Sequence, residues 1–255
     1  MRLLLLSDIH ANLEALEACL TVAPAHDLIM NLGDIVGYNA SPNEVCERVR
    51  ELGGTVVRGN HDRACTGLLS MSEFNLMAAL SARWTQEKLE PEHLNWLRAL
   101  PQGPLYCKQA PGAEFVHGSP RDEDEYVLNS SIANADFRLP GHAGRIFFGH
   151  THLQGGFVCD DGKVKPVALV YPAAEEVVTF TLRLEPGKRY LINPGSVGQP
   201  RDGDCRAAFA LYEAEVEGTG SVTYYRAQYD VESAQQRILD ANLPERLAHR
   251  LALGK

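Results

Sequence analysis

The sequence predicts an α/β fold with two β-sheets, the first parallel at its core. Three observations carry this expectation. The chain opens on an apolar run, residues 3–6, followed by segments that alternate between helix and strand periods in the order βαβαβ. Each of the first three strands runs into a short polar motif: Ser7-Asp8-Ile9-His10, Gly33-Asp34 and Gly59-Asn60-His61-Asp62. The last third then changes character, with six β-like runs and few helical signals between them, which points to a second, mostly antiparallel sheet packed on the first.

Four consecutive leucines bounded by a polar turn read as a strand buried on both faces. Side chains alternate across an extended backbone, so Asp8 and His10 point one way and Ile9 turns into the core. A carboxylate and an imidazole converging on one point suit a divalent transition metal. A helix follows, capped by Asn12, with Leu13, Leu16 and Leu20 at core spacing and Pro24 ending it. A second strand over 27–32 delivers Gly33-Asp34. Ser41-Pro42-Asn43-Glu44 has the form of a capping box with proline at the first helical position, and Val45, Val49 and Leu52 share the next helix's inner face. Gly53-Gly54 stops that helix, and a third strand over 55–57 delivers the Asn60 motif. Right-handed crossovers place these three motifs along one edge of one parallel sheet.

The middle of the chain reads as helix over 72–88 and 91–100, and strands over 114–116 and 145–148 end at His117 and at Gly149-His150-Thr151-His152. β-like runs over 157–158, 164–170, 177–184, 190–193, 207–212 and 222–226 and helices over 231–241 and 244–253 close the chain. With no repeat or low-complexity linker, one domain over 1–255 is the economical reading, with 153–189 as a β-rich insertion or rim element.

The net charge of -9 argues against nonspecific binding of nucleic acid or anionic membrane, but bound metal ions invert the local field, so anionic substrates stay within reach. No apolar run is long enough to span a bilayer and no signal peptide is evident. The six cysteines show no CxxC spacing and read as reduced thiols of a cytoplasmic protein. Histidine is more telling, since five of the nine (His10, His61, His117, His150, His152) follow apolar runs in Gly- or Asp-containing turns.

Together, Asp8-Ile9-His10, Gly33-Asp34, Gly59-Asn60-His61-Asp62, His117-Gly118 and Gly149-His150-Thr151-His152 resemble the full motif set of the calcineurin-like metallophosphoesterases, small prokaryotic branch. The resemblance resumes at Asn193-Pro194-Gly195-Ser196-Val197-Gly198. It implies a two-sheet α/β/β/α sandwich and two divalent ions, manganese foremost, with iron, nickel or zinc as alternatives. One ion is assigned to Asp8, His10 and His152, the other to Asn60, His117 and His150, and Asp34 bridges them. The implied chemistry is hydrolysis of a phosphodiester or phosphomonoester of a small molecule by a metal-bridging hydroxide. His61 faces the substrate in this family and acts on the leaving oxygen; Asp62 orients its neighbours. Arg63 and Arg201, each just after a motif, are candidates for phosphate oxygens.

Protein phosphatases of the superfamily carry an Arg soon after the second motif's Asp, as in GDxVDRG, whereas this chain reads Gly33-Asp34-Ile35-Val36-Gly37-Tyr38-Asn39. That departure disfavours a phosphoprotein phosphatase and tilts the expectation toward diesters. A non-catalytic binding scaffold of the same fold is the reading from a different class, countered by the presence of every motif position. A homo-oligomer is compatible with the sequence. The acidic run Asp122-Glu123-Asp124-Glu125 reads as a solvated loop, with a place on the substrate rim as the alternative.

Overall fold

The structure, a computed structural model, describes residues 1–171, 177–215 and 219–255. Strand β1 (Arg2–Leu6) leads through helix α1 (Leu13–Val22) to β2 (Leu28–Asn31), and helix α2 (Pro42–Leu52) leads to the short β3 (Thr55–Val56). Helices α3 (Asn60–Cys65), α4 (Leu76–Lys88) and α5 (Pro91–Arg98) follow, then β4 (Leu105–Tyr106), β5 (Ala113–Phe115), α6 (Ser130–Phe137) and β6 (Arg145–Phe147). The remaining strands are β7 (Gly155–Asp160), β8 (Lys163–Pro166), β9 (Val177–Leu184), β10 (Arg189–Asn193), β11 (Ala207–Ala214) and β12 (Gly220–Ala227), before the closing helices α7 (Val231–Asp240) and α8 (Glu245–Leu253).

Two six-stranded sheets result, in the orders β3-β2-β1-β11-β12-β9 and β4-β5-β6-β10-β7-β8. Both are mixed. β1, β2 and β3 are parallel, but β1 meets β11 antiparallel; in the second sheet β5, β6 and β10 are parallel and β10 meets β7 antiparallel. The expected division into an early parallel and a late antiparallel sheet is therefore corrected. β9, β11 and β12 extend the first sheet, and β7, β8 and β10 extend the second. A strand's local pattern marks it as a strand, whereas its partner depends on contacts far along the chain. The stretch 153–189 accordingly supplies β7 and the edge strands β8 and β9 of the two sheets, with residues 172–176 of it outside the described residues.

The alternation in β1 distributes its leucines between two cores. Leu3 and Leu5 face the space between the sheets with Phe115, Phe147 and Ile192, while Leu4 and Leu6 pack with Leu16, Val45 and Phe209 under the helices. A third cluster joins α6 to the outer face of the second sheet through Phe137, Ile146 and Leu191. These layers are the expected α/β/β/α sandwich. Among the described residues no helix is long and apolar enough to cross a membrane.

Most local signals hold, although the β-like run expected over 164–170 is strand only as far as Pro166, in β8. Asn12 caps α1, its side chain accepting from the Ala15 N–H, and Gly53 ends α2 at φ 68°. Ser41, however, makes no cap: its hydroxyl is buried without a hydrogen-bond partner, and Pro42 alone starts α2. The helix expected over 72–88 begins at Leu76, capped by Asn75, after a separate turn of 3-10 helix over Met71–Glu73.

Leu4 is fully buried at the centre of this arrangement. Leu4→Ala should lower unfolding stability by about 2–5 kcal/mol, read as a lower urea midpoint with an unchanged slope.

Candidate dimetal centre

The motif loops emerge where the strands stop, and they hydrogen-bond to one another rather than to the sheets. The Asp8 N–H donates to the Gly33 carbonyl and that of His10 to the Asp34 carbonyl, both at 2.9 Å, and Ala11 N–H reaches Ile35 at 2.8 Å. Val197 and Gly198 donate to the carbonyls of Ser7 and Asp8, both at 3.0 Å. Gly149 N–H meets the His117 carbonyl at 2.8 Å. First- and second-sheet loops thus form one knot at the carboxyl ends of the strands.

This knot corrects the reason given for the convergence of Asp8 and His10. The backbone is not extended there: φ is 53° at Asp8, 49° at His10, 56° at Asp34, 64° at His150 and 60° at His152. Left-handed backbone at non-glycine residues costs on the order of 1–3 kcal/mol each and persists only where surrounding contacts enforce it. The inter-loop hydrogen bonds are those contacts. They turn the side chains inward by local coiling, in place of strand alternation.

The side chains so aimed form two groups. Asp8, His10, Asp34 and His152 present atoms within 4.8 Å of one another, as do Asp34, His117 and His150, and all six are buried. Asn60, at the start of α3, joins the second group, its Oδ1 lying 3.2 Å from His117 Nε2. Asp34 Oδ2 stands 3.5 Å from His10 Nε2 in one group and 3.5 Å from His117 Nε2 in the other.

The chemistry of this donor set fits a pair of cations. His10 Nδ1 lies 3.1 Å from the Val36 carbonyl, His117 Nδ1 2.8 Å from that of Leu32, and His152 Nδ1 2.6 Å from that of Gln199. A carbonyl only accepts, so each Nδ1 carries the hydrogen and each Nε2 turns a lone pair inward. His150 is arranged in reverse, with Nε2 on the Asp124 carbonyl at 3.0 Å and Nδ1 left as the ligating atom. Several inward atoms then face one another as acceptors: His10 Nε2 is 3.1 Å from His152 Nε2, which is 3.4 Å from Asp8 Oδ1. Lone pairs set against lone pairs repel unless positive charge lies between them.

The ionisation behaviour agrees. Burial pulls His10 and His152 well below the usual imidazole range and His150 down to about 3, which keeps them neutral and able to ligate. Burial also pushes Asp8 up to about 7, with Asp34 adding to the rise. Asp34 goes the other way: burial would raise it, but His117, His61 and His10 hold it well below the carboxylate range. Its partner His117, which burial would lower, is pushed up to about 10 by Asp34. The pair expresses one demand, positive charge beside the Asp34 carboxylate, which a proton on His117 Nε2 or a divalent ion meets.

His61 and Asp62 divide their work. The Asp62 carboxylate accepts from the backbone N–H groups of Asp34 and Gly59 at 2.9 Å, Ile35 at 2.8 Å and Val36 at 3.2 Å. It therefore fixes the loop that carries Asp34 and contacts no inward-facing atom of either group. His61 donates its backbone N–H to Asp34 Oδ1 at 2.8 Å, and its ring packs among Tyr38, His10 and Phe74. Its Nδ1 is buried without a partner against Gly37, where a Cβ would approach to 2.6 Å, so Nε2 is the nitrogen left toward the cavity. Burial lowers this imidazole to about 4.

The two arginines differ. Arg63 is committed to carboxylates, pairing with Glu123 at 3.2 Å and with Asp124. Arg58 also holds Glu123, at 2.8 Å, so the acidic run is an ion-paired brace behind His150 and not the solvated loop its composition suggests. Among the described residues Arg201 has no carboxylate partner: it donates to Tyr38 Oη and Gln199 Oε1, both at 3.3 Å, and its Nε is buried without a hydrogen-bond partner there.

Sequence reasoning missed Tyr38, Phe74 and Tyr126, which with His61, Asp124 and His150 border a cavity of about 220 Å³. Tyr126 stacks on His150 with ring centroids 3.8 Å apart. Asn193 and Ser196 were visible only as part of a motif. Asn193 Nδ2 holds the Gly149 carbonyl at 2.8 Å and Ser196 Oγ that of Asp8 at 2.7 Å.

Asp62→Asn should leave the fold intact but weaken divalent-ion binding roughly 10- to 100-fold, the usual scale for a group that orients ligands from behind, as measured by competition with a chelator.

Comparison with known proteins agrees with the geometry. A model of the calcineurin-like phosphoesterase superfamily domain matches residues 1–217. An uncharacterized protein of Methanocaldococcus jannaschii is 34% identical over 262 residues, covering 98% of this chain and 97% of its own. The crystal structure of a metallophosphoesterase from Sphaerobacter thermophilus is 40% identical and superposes with a TM-score of 0.80, covering 100% of this chain and 99% of the other. A hypothetical protein of Pyrococcus horikoshii shares the fold at 22% identity, with a TM-score of 0.77 over 100% of this chain and 98% of its own. By its motifs, its paired ligand groups and these matches, the chain belongs to the calcineurin-like phosphoesterase superfamily.

Proposed function

We propose that this dimetal-dependent phosphoesterase acts on a small phosphorylated molecule, with one ion held by Asp8, His10 and His152, the other by Asn60, His117 and His150, and Asp34 shared. The observation that carries the reading is the placement of Asp34 Oδ2, 3.5 Å from a ring nitrogen of each group. When bound, two divalent ions supply Lewis acidity to the phosphoryl oxygens and make water nucleophilic near neutral pH. Manganese is the first ion to test, followed by iron, nickel and zinc, since mixed nitrogen and oxygen ligands accept each of them.

The protein's own groups do the rest. His61 borders the cavity with Nε2 toward it, in position to donate to the leaving oxygen as it gains charge. Asp62 keeps the Asp34 loop in place. Arg201 brings to this edge the guanidinium that the second motif lacks, from a segment far along the chain, and so brings monoesters within reach alongside diesters. Arg63, tied to Glu123 and Asp124, serves the brace behind His150. The cavity's 220 Å³ and its walls of Tyr38, Phe74 and Tyr126 support a small substrate over a phosphoprotein loop.

His61→Ala should retain both ions and lose at least about 10²-fold in turnover. Elemental analysis beside rates on p-nitrophenyl phosphate and bis-p-nitrophenyl phosphate decides it: full metal content with undiminished rates would remove His61 from the chemistry. Wild-type protein with two ions and no turnover of any ester would favour the non-catalytic scaffold.

A further inference from the structure

Two guanidinium groups lie against the Tyr38 ring. The Arg201 guanidinium carbon lies 5.6 Å from the centre of the Tyr38 ring, and that of Arg250, from the last turn of α8, lies 5.7 Å from the same centre. Neither arginine forms an ion pair with a carboxylate side chain among the described residues, whereas Arg48, Arg58, Arg63, Arg121, Arg206 and Arg226 all do. Arg250 Nε donates to the Lys255 backbone oxygen at 2.7 Å, and the guanidinium also hydrogen-bonds to Tyr38. Burial first, and the positive charge of Arg201 second, pull the Arg250 guanidinium below its usual range.

The surroundings show where an anion would enter. Asn75 borders the 220 Å³ cavity of the dimetal centre and also a second cavity of about 550 Å³, whose other walls are Leu76, Met77, Arg246, Arg250 and Lys255. No acidic residue lines that second cavity, in a chain of net charge -9. On the inner side, the Tyr38 ring lies 4.7 Å from that of His10, so the arginine pair is one tyrosine away from the first ligand group. The planar fork of N–H donors on a guanidinium is suited to phosphate oxygens.

We propose that Arg201 and Arg250, gathered on Tyr38 beside the dimetal centre, form a subsite for a second phosphate group, so that the substrate is a small molecule carrying two phosphates. This rests on the phosphoesterase reading for the position of the first phosphate. Arg201 meets the substrate nearest the ions, and Arg250 extends the positive field into the second cavity. A substrate with a neutral leaving group fills only the inner part of the site.

Calorimetric binding to the metal-loaded protein tests this without requiring turnover, with propane-1,3-bisphosphonate and propylphosphonate as probes. The wild type should prefer the bisphosphonate by at least about tenfold, and Arg250→Met should abolish that preference. Arg83→Met, which removes the same charge from an exposed position of α4 that borders neither cavity, should keep it. Arg250→Lys, which keeps the charge but loses the fork, should fall between, and it serves as the second variant if the methionine substitution lowers the melting temperature. Equal affinity of the wild type for both probes, or equal loss of preference in Arg250→Met and Arg83→Met, would overturn the proposal. A preference that vanishes only in Arg250→Met, in a protein that hydrolyses no ester, supports the subsite and overturns the phosphoesterase reading alone.

Discussion

The site depends on one electrostatic constraint: buried acceptor atoms of both groups converge around the Asp34 carboxylate and demand positive charge between them. Three histidines are locked by backbone carbonyls at Nδ1 and a fourth at Nε2, so none can rotate its N–H inward to relieve the repulsion. The carbonyls of Leu32 and Val36 that hold His117 and His10 flank Asp34 in its own loop. The residue that faces both groups is therefore carried by the segment that orients a ligand in each.

Holding so many acceptors together is costly, and the fold offsets that cost outside the site. Two strand-end loops from the first sheet and three from the second are cross-linked by backbone hydrogen bonds, which enforce left-handed backbone at Asp8, His10, Asp34, His150 and His152. Close approach is part of the same device. A Cβ on Gly198 would come within 1.8 Å of the Ile9 carbonyl, and one on Gly59 within 2.0 Å of Asp34 Oδ1. Asp62 completes the frame with four backbone donors. A rigid, preorganised donor set favours ions that accept its geometry.

Much of this was legible in the sequence because the site uses short motifs at strand ends. Residues 3–6 as a doubly buried strand, Asn12 as a cap and the gathering of Asp8, His10, Asp34, His117, His150 and His152 all follow from local pattern. What local pattern misses is whatever depends on partners distant in the chain. The late strands divide between both sheets, since pairing is not encoded in a strand's own alternation. Convergence of Asp8 and His10 was expected from extended geometry and is produced by left-handed backbone, which only the inter-loop hydrogen bonds explain. The acidic run looked solvated because Arg58 and Arg63, its partners, lie some sixty residues earlier, at separations of 65 and 61 positions. Arg250 carried no signal, lying in an amphipathic helix whose relation to Tyr38 exists only in the folded chain.

The sharing of Asp34 between two ions is the central claim, and metal stoichiometry tests it most directly. Purified Asp34→Ala, folded as judged by circular dichroism, should hold fewer than two divalent ions per chain by elemental analysis where the wild type holds two. Retention of both ions by the variant would contradict the account, because the two groups would then be complete without the carboxylate that faces them both.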